Sequence, residues 1–198
     1  MSIRISGGKF KSRIIKGPNG VYSRPLLGVI KEATFSILGA KVEESTIVDC
    51  FSGTGSFGLE ALSRGAKFVV FIEKSAKLVS ILRQNVKDLG MDKCSYIIED
   101  DIVKSLPCLL ASCFADIIFL DPPFFSVDGK KVLECLLRNY TSFKHLIVRF
   151  HKKEEWPYLT LANQKEKNIH TIDKRIYGDS KLIFLEPMEG LNEWNDKA

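Results

Sequence analysis

Between residues 46 and 150, short apolar runs alternate with amphipathic stretches, and this alternation constrains the fold more than any other feature of the chain. The runs at 46–49, 68–72, 94–98, 115–120 and 145–150 read as strands, and the stretches 57–64, 75–89, 102–111 and 129–139 as helices. Such alternation implies a parallel sheet with helices on both faces. The helix at 75–89 is the best defined. Ser75 can cap it, Leu78, Leu82, Val86 and Leu89 form one apolar stripe, and Gly90 terminates it. Pro107 is expected to interrupt and shorten the helix at 102–111. Upstream, Leu26–Leu38 reads as a helix ended by Gly39, with Gly28 a weakness in its first turn. The pattern changes at the end, where Ile169–Ile176 and Lys181–Leu185 flank Tyr177-Gly178-Asp179-Ser180, a turn sequence without a helix. Five alternating strands plus this antiparallel hairpin give a seven-stranded, Rossmann-like α/β sheet.

Ligands of open α/β sheets bind at the carboxyl ends of the strands. Asp49, Glu73, Asp101 and Asp121 all fall at such ends. After Asp49 comes Cys50-Phe51-Ser52-Gly53-Thr54-Gly55-Ser56-Phe57-Gly58, a glycine loop running into a helix. Glycines let the backbone approach a ligand, and a helix start presents unpaired N–H groups. Glu73, twenty residues beyond Gly53, is placed to take both hydroxyls of a ribose. Gly53, Gly55 and Gly58 also satisfy the dinucleotide fingerprint. In that fingerprint, however, the first glycine follows the strand directly, whereas here Asp49-Cys50-Phe51-Ser52 intervene. An acidic residue there suits a ligand with a positive ammonium, such as the methionine end of S-adenosylmethionine (SAM), and suits a pyrophosphate poorly. The expected cofactor residues are therefore Asp49, Phe51, Ser52, Gly53 and Gly55 for the methionine part and Glu73 for the ribose, with Lys74 also counted among them. Asp101 and Ile102 are expected near the adenine, and Asp121 near the donor.

The run Ala115–Leu120 ends in Asp121-Pro122-Pro123-Phe124. Prolines fix φ and donate no N–H, leaving their carbonyls as acceptors. An aspartate and a carbonyl can together accept both hydrogens of an exocyclic amine while the Phe124 ring covers a base. That combination suits chemistry on a nucleobase amino group, with Asp121, Pro122 and Phe124 as its catalytic residues. It has no role in hydride transfer, which counts against a nicotinamide enzyme.

At 198 residues the chain fits one domain with a small appendage. No apolar run approaches the length of a membrane span, and no export signal is read at the N-terminus, so a cytoplasmic location is expected. Five cysteines, odd in number and never spaced CxxC, read as buried reduced thiols, and His145, His151 and His170 form no ligand pattern. No metal is expected. Residues 1–31 hold seven Lys and Arg and no acid, while the whole chain is only +5. Ile3, Ile5, Phe10, Ile14 and Ile15 interleave with those charges and Gly7-Gly8 offers a turn, the pattern of an ordered basic β-hairpin. Cations on an ordered face hold phosphate backbones, so Arg4, Lys9, Lys11, Arg13 and Arg24 are the candidate nucleic-acid-binding residues. The expected organisation is a basic extension at 1–25, a catalytic domain at 26–186 and a polar tail at 187–198.

The chain resembles the RsmD family of bacterial 16S ribosomal RNA guanine-N2 methyltransferases over nearly its whole length. The resemblance rests on Arg4-Ile5-Ser6-Gly7-Gly8-Lys9-Phe10-Lys11, Arg24-Pro25, Glu32–Leu38, Asp49–Gly55, Gly58-Leu59-Glu60-Ala61-Leu62-Ser63-Arg64-Gly65-Ala66, Glu73-Lys74, Asp121–Phe124 and Tyr177-Gly178-Asp179. Two positions depart from the family pattern. Leu26-Leu27-Gly28-Val29 replaces a polar, charged cluster, and Arg149 stands where an acidic residue is usual. The resemblance implies a SAM-dependent methyltransferase fold, methyl transfer to a guanine N2 amine, and 16S rRNA or the small ribosomal subunit as partner; a monomer is expected. Two other readings stay open. One is a DNA adenine-N6 methyltransferase using the same tetrapeptide. The other is a non-catalytic ribosome-assembly factor that binds SAM or RNA.

Overall fold

A computed structural model of the chain describes residues 2–18, 28–112, 114–156, 159 and 168–188. The chain forms two compact units, Met1–Ile102 and Val103–Ala198. In the first, β1 (Ser2–Arg4) pairs antiparallel with β2 (Ile14–Lys16), bringing Ile3 opposite Ile15. This is the expected basic hairpin. Helix α1 (Gly28–Leu38) follows; its predicted first two residues lie outside the described ones, as do Arg24 and Leu26-Leu27. Then come β3 (Thr46–Cys50), α2 (Ser56–Ser63), β4 (Phe68–Glu73), α3 (Ala76–Leu89) and β5 (Ser95–Glu99). The three strands are parallel, in the order β5-β4-β3, with Asp49 level with Phe71 and Glu73 with Glu99. Ser75 accepts from the Leu78 N–H and Gly90 closes α3 at φ 66°, as the sequence predicts.

The second unit contains α4 (Ile102–Ser112, its first residue at the unit boundary), β6 (Ala115–Leu120), α5 (Val127–Arg138), β7 (Phe143–His151), β8 (Ile169–Tyr177) and β9 (Ser180–Pro187). Here β6 and β7 are parallel, and β9 and β8 follow antiparallel, with Gly178-Asp179 turning the final hairpin. Apart from the N-terminal pair, seven strands are present among the described residues, the number expected.

Two expectations are corrected. Pro107 neither interrupts nor shortens α4, which continues to Ser112. The proline forfeits one helical hydrogen bond, but Ile102, Leu106 and Leu110 are all buried, and that apolar stripe carries the helix through. The cysteines are not uniformly buried either. Cys50 is, Cys94 and Cys135 are half-buried, and Cys108 is exposed, on the face of α4 turned away from its stripe. Cys113 lies outside the described residues. Among the described residues no helix is long and apolar enough to cross a membrane.

Candidate active site

The glycine loop between β3 and α2 is an irregular turn in which Phe51, Gly53 and Gly55 all have positive φ, at 59°, 58° and 84°. Its three fingerprint glycines do different work. A Cβ on Gly58 would lie 2.3 Å from the Phe71 ring, and one on Gly55 2.4 Å from Leu82 Cδ1, so both are needed for packing. Gly53 has nothing within 4 Å of such a Cβ: its backbone borders open space. The loop is fixed to the neighbouring strand end. Ser52 N–H donates to the Ile72 carbonyl at 3.1 Å, and Gly53 N–H donates to Glu73 Oε2 at 2.9 Å. Glu73 Oε1 accepts from Ser75 N–H at 2.8 Å. Each oxygen of Glu73 thus holds one backbone donor and keeps lone-pair capacity for another.

Asp49 is buried, at 2% exposure, and its Oδ2 accepts from the Gly58 N–H at 3.0 Å, so it tethers the strand end to the start of α2. Ser56, the first residue of α2, is 7% exposed, and its hydroxyl has no hydrogen-bond partner among the described residues. A buried hydroxyl left unpaired beside a strained glycine loop fits a site shaped for a polar ligand. This residue was not singled out in the sequence, where it is one serine among many. Lys74 is exposed, Asp101 half-buried, and Ile102 buried at the head of α4.

In the second unit, β6 delivers Asp121 at its carboxyl end. Pro122 is buried against Gly129, where any Cβ would come within 2.6 Å of the proline ring. The Pro123 carbonyl accepts from Ser126 N–H at 3.1 Å and closes the turn into α5, which Ser126 caps through Gly129 N–H. The Pro122 carbonyl carries no hydrogen bond among the described residues. Arg149, inside β7, donates from Nη1 to Asp121 Oδ1 at 2.6 Å, with the two side chains 5% and 15% exposed. Its guanidinium lies 5.0 Å from the Phe124 ring centroid, and its Nε donates to Ser180 Oγ on β9 at 3.2 Å. Burial pushes the Asp121 carboxyl above the ordinary aspartate range, and the Arg149 cation opposes that without cancelling it.

His151 ends β7, with its ring 5.1 Å from Phe124 and 4.9 Å from Phe125. Phe125 is 62% exposed and has φ 61°, a backbone conformation that bulky residues rarely adopt. The sequence reading missed the Arg149–Asp121 pair. The available sign was an arginine within the apolar run Leu146–Phe150, since a buried guanidinium needs an anion.

A buried carboxylate is one anchor of the basic hairpin. Glu60 on α2 is fully buried and accepts from Ser6 N–H and Oγ at 2.8 Å each, Lys31 Nζ at 2.9 Å and Arg64 Nε at 2.9 Å. Lys31 Nζ also donates to the Arg4 carbonyl. The hairpin loop covers the end of α2, with Lys9 N–H on the Ser63 carbonyl at 2.7 Å and Phe10 N–H on Ser63 Oγ at 2.9 Å. Arg4, Lys9, Lys11 and Arg13 are all exposed on this pinned element. Among the described residues no group of three His, Cys, Asp or Glu could hold a metal ion.

Comparison with known proteins gives a consistent result. Residues 3–186 match the family model described as conserved hypothetical protein 95. The chain is 29% identical over 182 residues to ribosomal RNA small subunit methyltransferase D of Haemophilus influenzae, spanning 88% of this chain and 93% of that protein. It is 34% identical over 139 residues to the protein of the same name from Buchnera aphidicola, spanning 70% and 69%. Among solved structures, the yhhF protein of Escherichia coli aligns with TM-score 0.77 at 23% identity, covering 95% of this chain and 99% of that one. The M. jannaschii tRNA m1G37 methyltransferase aligns with TM-score 0.64 at 16% identity, covering 85% and 51%. At these identities the structural matches establish the fold, which is the Rossmann-like methyltransferase fold.

Proposed function

The chain belongs to the conserved hypothetical protein 95 family, that of the RsmD methyltransferases, and from that premise we propose that it methylates the exocyclic N2 amine of a guanine in small-subunit ribosomal RNA. The observation that carries the acceptor chemistry is the Asp121 carboxylate followed directly by the Pro122 carbonyl, which has no hydrogen bond among the described residues. Both hydrogens of an amine are met by acceptors there, which draws the nitrogen lone pair out of conjugation with the base. Phe124 offers its face to the ring. A base within a helix would first have to leave its stack, at a cost of a few kcal/mol. Asp121 need not be a strong base, because the proton can leave after the methyl has moved.

The donor reading is supported by the Phe51–Gly55 loop, open space at Gly53, the Ser56 hydroxyl, unpaired among the described residues, and the spare acceptor capacity of Glu73. SAM supplies an activated methyl on a sulfonium, so positioning and electrostatics are what the protein must add. In this reading Asp49, Phe51, Ser52, Gly53 and Gly55 hold the methionine part, Glu73 the ribose, and Asp101 and Ile102 the adenine, with Lys74 and Asp121 completing the cofactor-binding set. Segment 1–25 holds RNA phosphates through Arg4, Lys9, Lys11, Arg13 and Arg24, beside a catalytic domain at 26–186 and a tail at 187–198. The enzyme acts as a cytoplasmic monomer.

The test is transfer from labelled SAM to unmethylated small ribosomal subunits, naked 16S RNA and duplex DNA in parallel, with nucleoside analysis. N2-methylguanosine in the ribosomal samples alone is expected, and Asp121→Ala should abolish it while SAM binding stays near normal. N6-methyladenine in DNA would replace this reading with the DNA one. SAM binding without transfer would favour an assembly factor.

A further inference from the structure

Arg149 has no place in the chemistry described so far, yet three elements converge on it. A guanidinium taken out of water must find an anion and further partners or it costs several kcal/mol. Arg149 finds them in Asp121 from the end of β6, the Phe124 ring from the loop that follows, and the Ser180 hydroxyl from β9. The pair is made through one carboxylate oxygen, Oδ1, at 2.6 Å. A charge-assisted bond of that length fixes the carboxylate's orientation. Among the described residues the oxygen left to receive an incoming N–H is Oδ2.

On the reading of the acceptor pocket given above, we propose that Arg149 is a positioning residue for methyl transfer. It clamps Oδ1 of Asp121, so that Oδ2 and the Pro122 carbonyl form the two acceptors that meet the amine. The same contact preserves the required protonation state. A protonated Asp121 would present an O–H donor where the amine, itself a donor, needs an acceptor. Around the carboxylate, Arg149 is the charged group among the described residues that acts on it; Ser180 and Phe124, which complete Arg149's surroundings, are neutral. His151 reaches the Phe124 ring rather than the pair.

Arg149→Met, Arg149→Lys and Ser180→Ala test this. Each is assayed for kcat on small ribosomal subunits from acidic to alkaline pH, with SAM affinity measured by calorimetry. Arg149→Met should lose about 10²-fold in kcat, the effect of a misplaced reacting group, with SAM affinity unchanged. Its acidic limb should move to higher pH, because an unpaired buried carboxylate holds its proton longer. Arg149→Lys keeps the charge and should return the limb toward wild type while recovering only part of kcat, since a lysine cannot reproduce the three-way grip. Ser180→Ala should show the same signs more weakly, and it decides the matter if Arg149→Met does not fold. The proposal is overturned if Arg149→Met is as active as wild type or more so, because the contact would then block Asp121. It is also overturned if activity falls while the acidic limb stays in place, which is the mark of a purely structural role. These outcomes are scored on whichever amine the wild type methylates, so failure to find N2-methylguanosine sinks the guanine reading without deciding the role of Arg149.

Discussion

At the scale of single residues, the glycine loop separates packing from ligand approach. Gly58→Ala forces a methyl against Phe71 and Val69, at 2.3 Å and 2.8 Å, and should destabilise the protein by about 1–3 kcal/mol in urea unfolding. Gly53→Ala meets open space and costs only its left-handed backbone, about 1–2 kcal/mol. If the loop holds SAM, Gly53→Ala should weaken SAM binding beyond what its stability loss explains, and calorimetry would detect this. Glu60 shows a second residue-scale effect. Burial alone would raise its pKa, but hydrogen bonds from Lys31 and Ser6 together with the Lys31 charge outweigh burial and lower it. A depressed carboxylate contributes stability that is present above the ordinary glutamate range and is lost as pH falls through the lowered value. Lys31→Met should therefore cost about 3 kcal/mol at neutral pH, the low end for a broken buried pair because Arg64 remains. That penalty should shrink on acidification as Glu60 takes up a proton, and unfolding at a series of pH values checks it. None of this partnering was legible in Glu60 or Lys31, which read as ordinary helix charges until distant segments are brought together.

At the scale of elements, the N-terminal hairpin is the clearest case for function. Its strands are three residues each, too short to persist alone, and the loop between them is held by Glu60 and by the end of α2. The exposed cations therefore sit on a fixed surface. Replacing Lys9, Lys11 and Arg13 together by alanine should weaken RNA binding and reduce the slope of log affinity against log salt by about 0.7–0.9 per cation lost. Filter binding across a salt series measures it, and an unchanged slope would remove these residues from the RNA interface. Elements with their own local grammar were read correctly from sequence, among them α3 with its Ser75 cap and Gly90 terminator, and the Gly178-Asp179 turn. Helix α4 departs from its local signal because the burial of Ile102, Leu106 and Leu110 overrides the breaker Pro107.

At the scale of the whole molecule, ligand linkage gives the broadest test. If the folded chain binds SAM and the unfolded chain does not, SAM at one hundred times its Kd should raise unfolding stability by about 2.7 kcal/mol, and no shift would argue against a donor site. The sequence by itself determined the α/β class, the order of strands and helices, the acidic residues at strand ends, the glycine loop and the Asp-Pro-Pro-Phe tetrapeptide. These are encoded over a few neighbouring residues, through hydrophobic period, turn chemistry and caps. Only the tertiary structure decided that Gly55 and Gly58 serve packing while Gly53 borders open space, that Ser56 has no partner among the described residues, that Glu60 pins the hairpin, and that Arg149 grips Asp121. Each of these depends on residues far apart in the chain, such as Asp121 and Arg149, twenty-eight positions apart. A buried charge finds its partner through the packing of whole elements, and local periodicity carries no record of that choice.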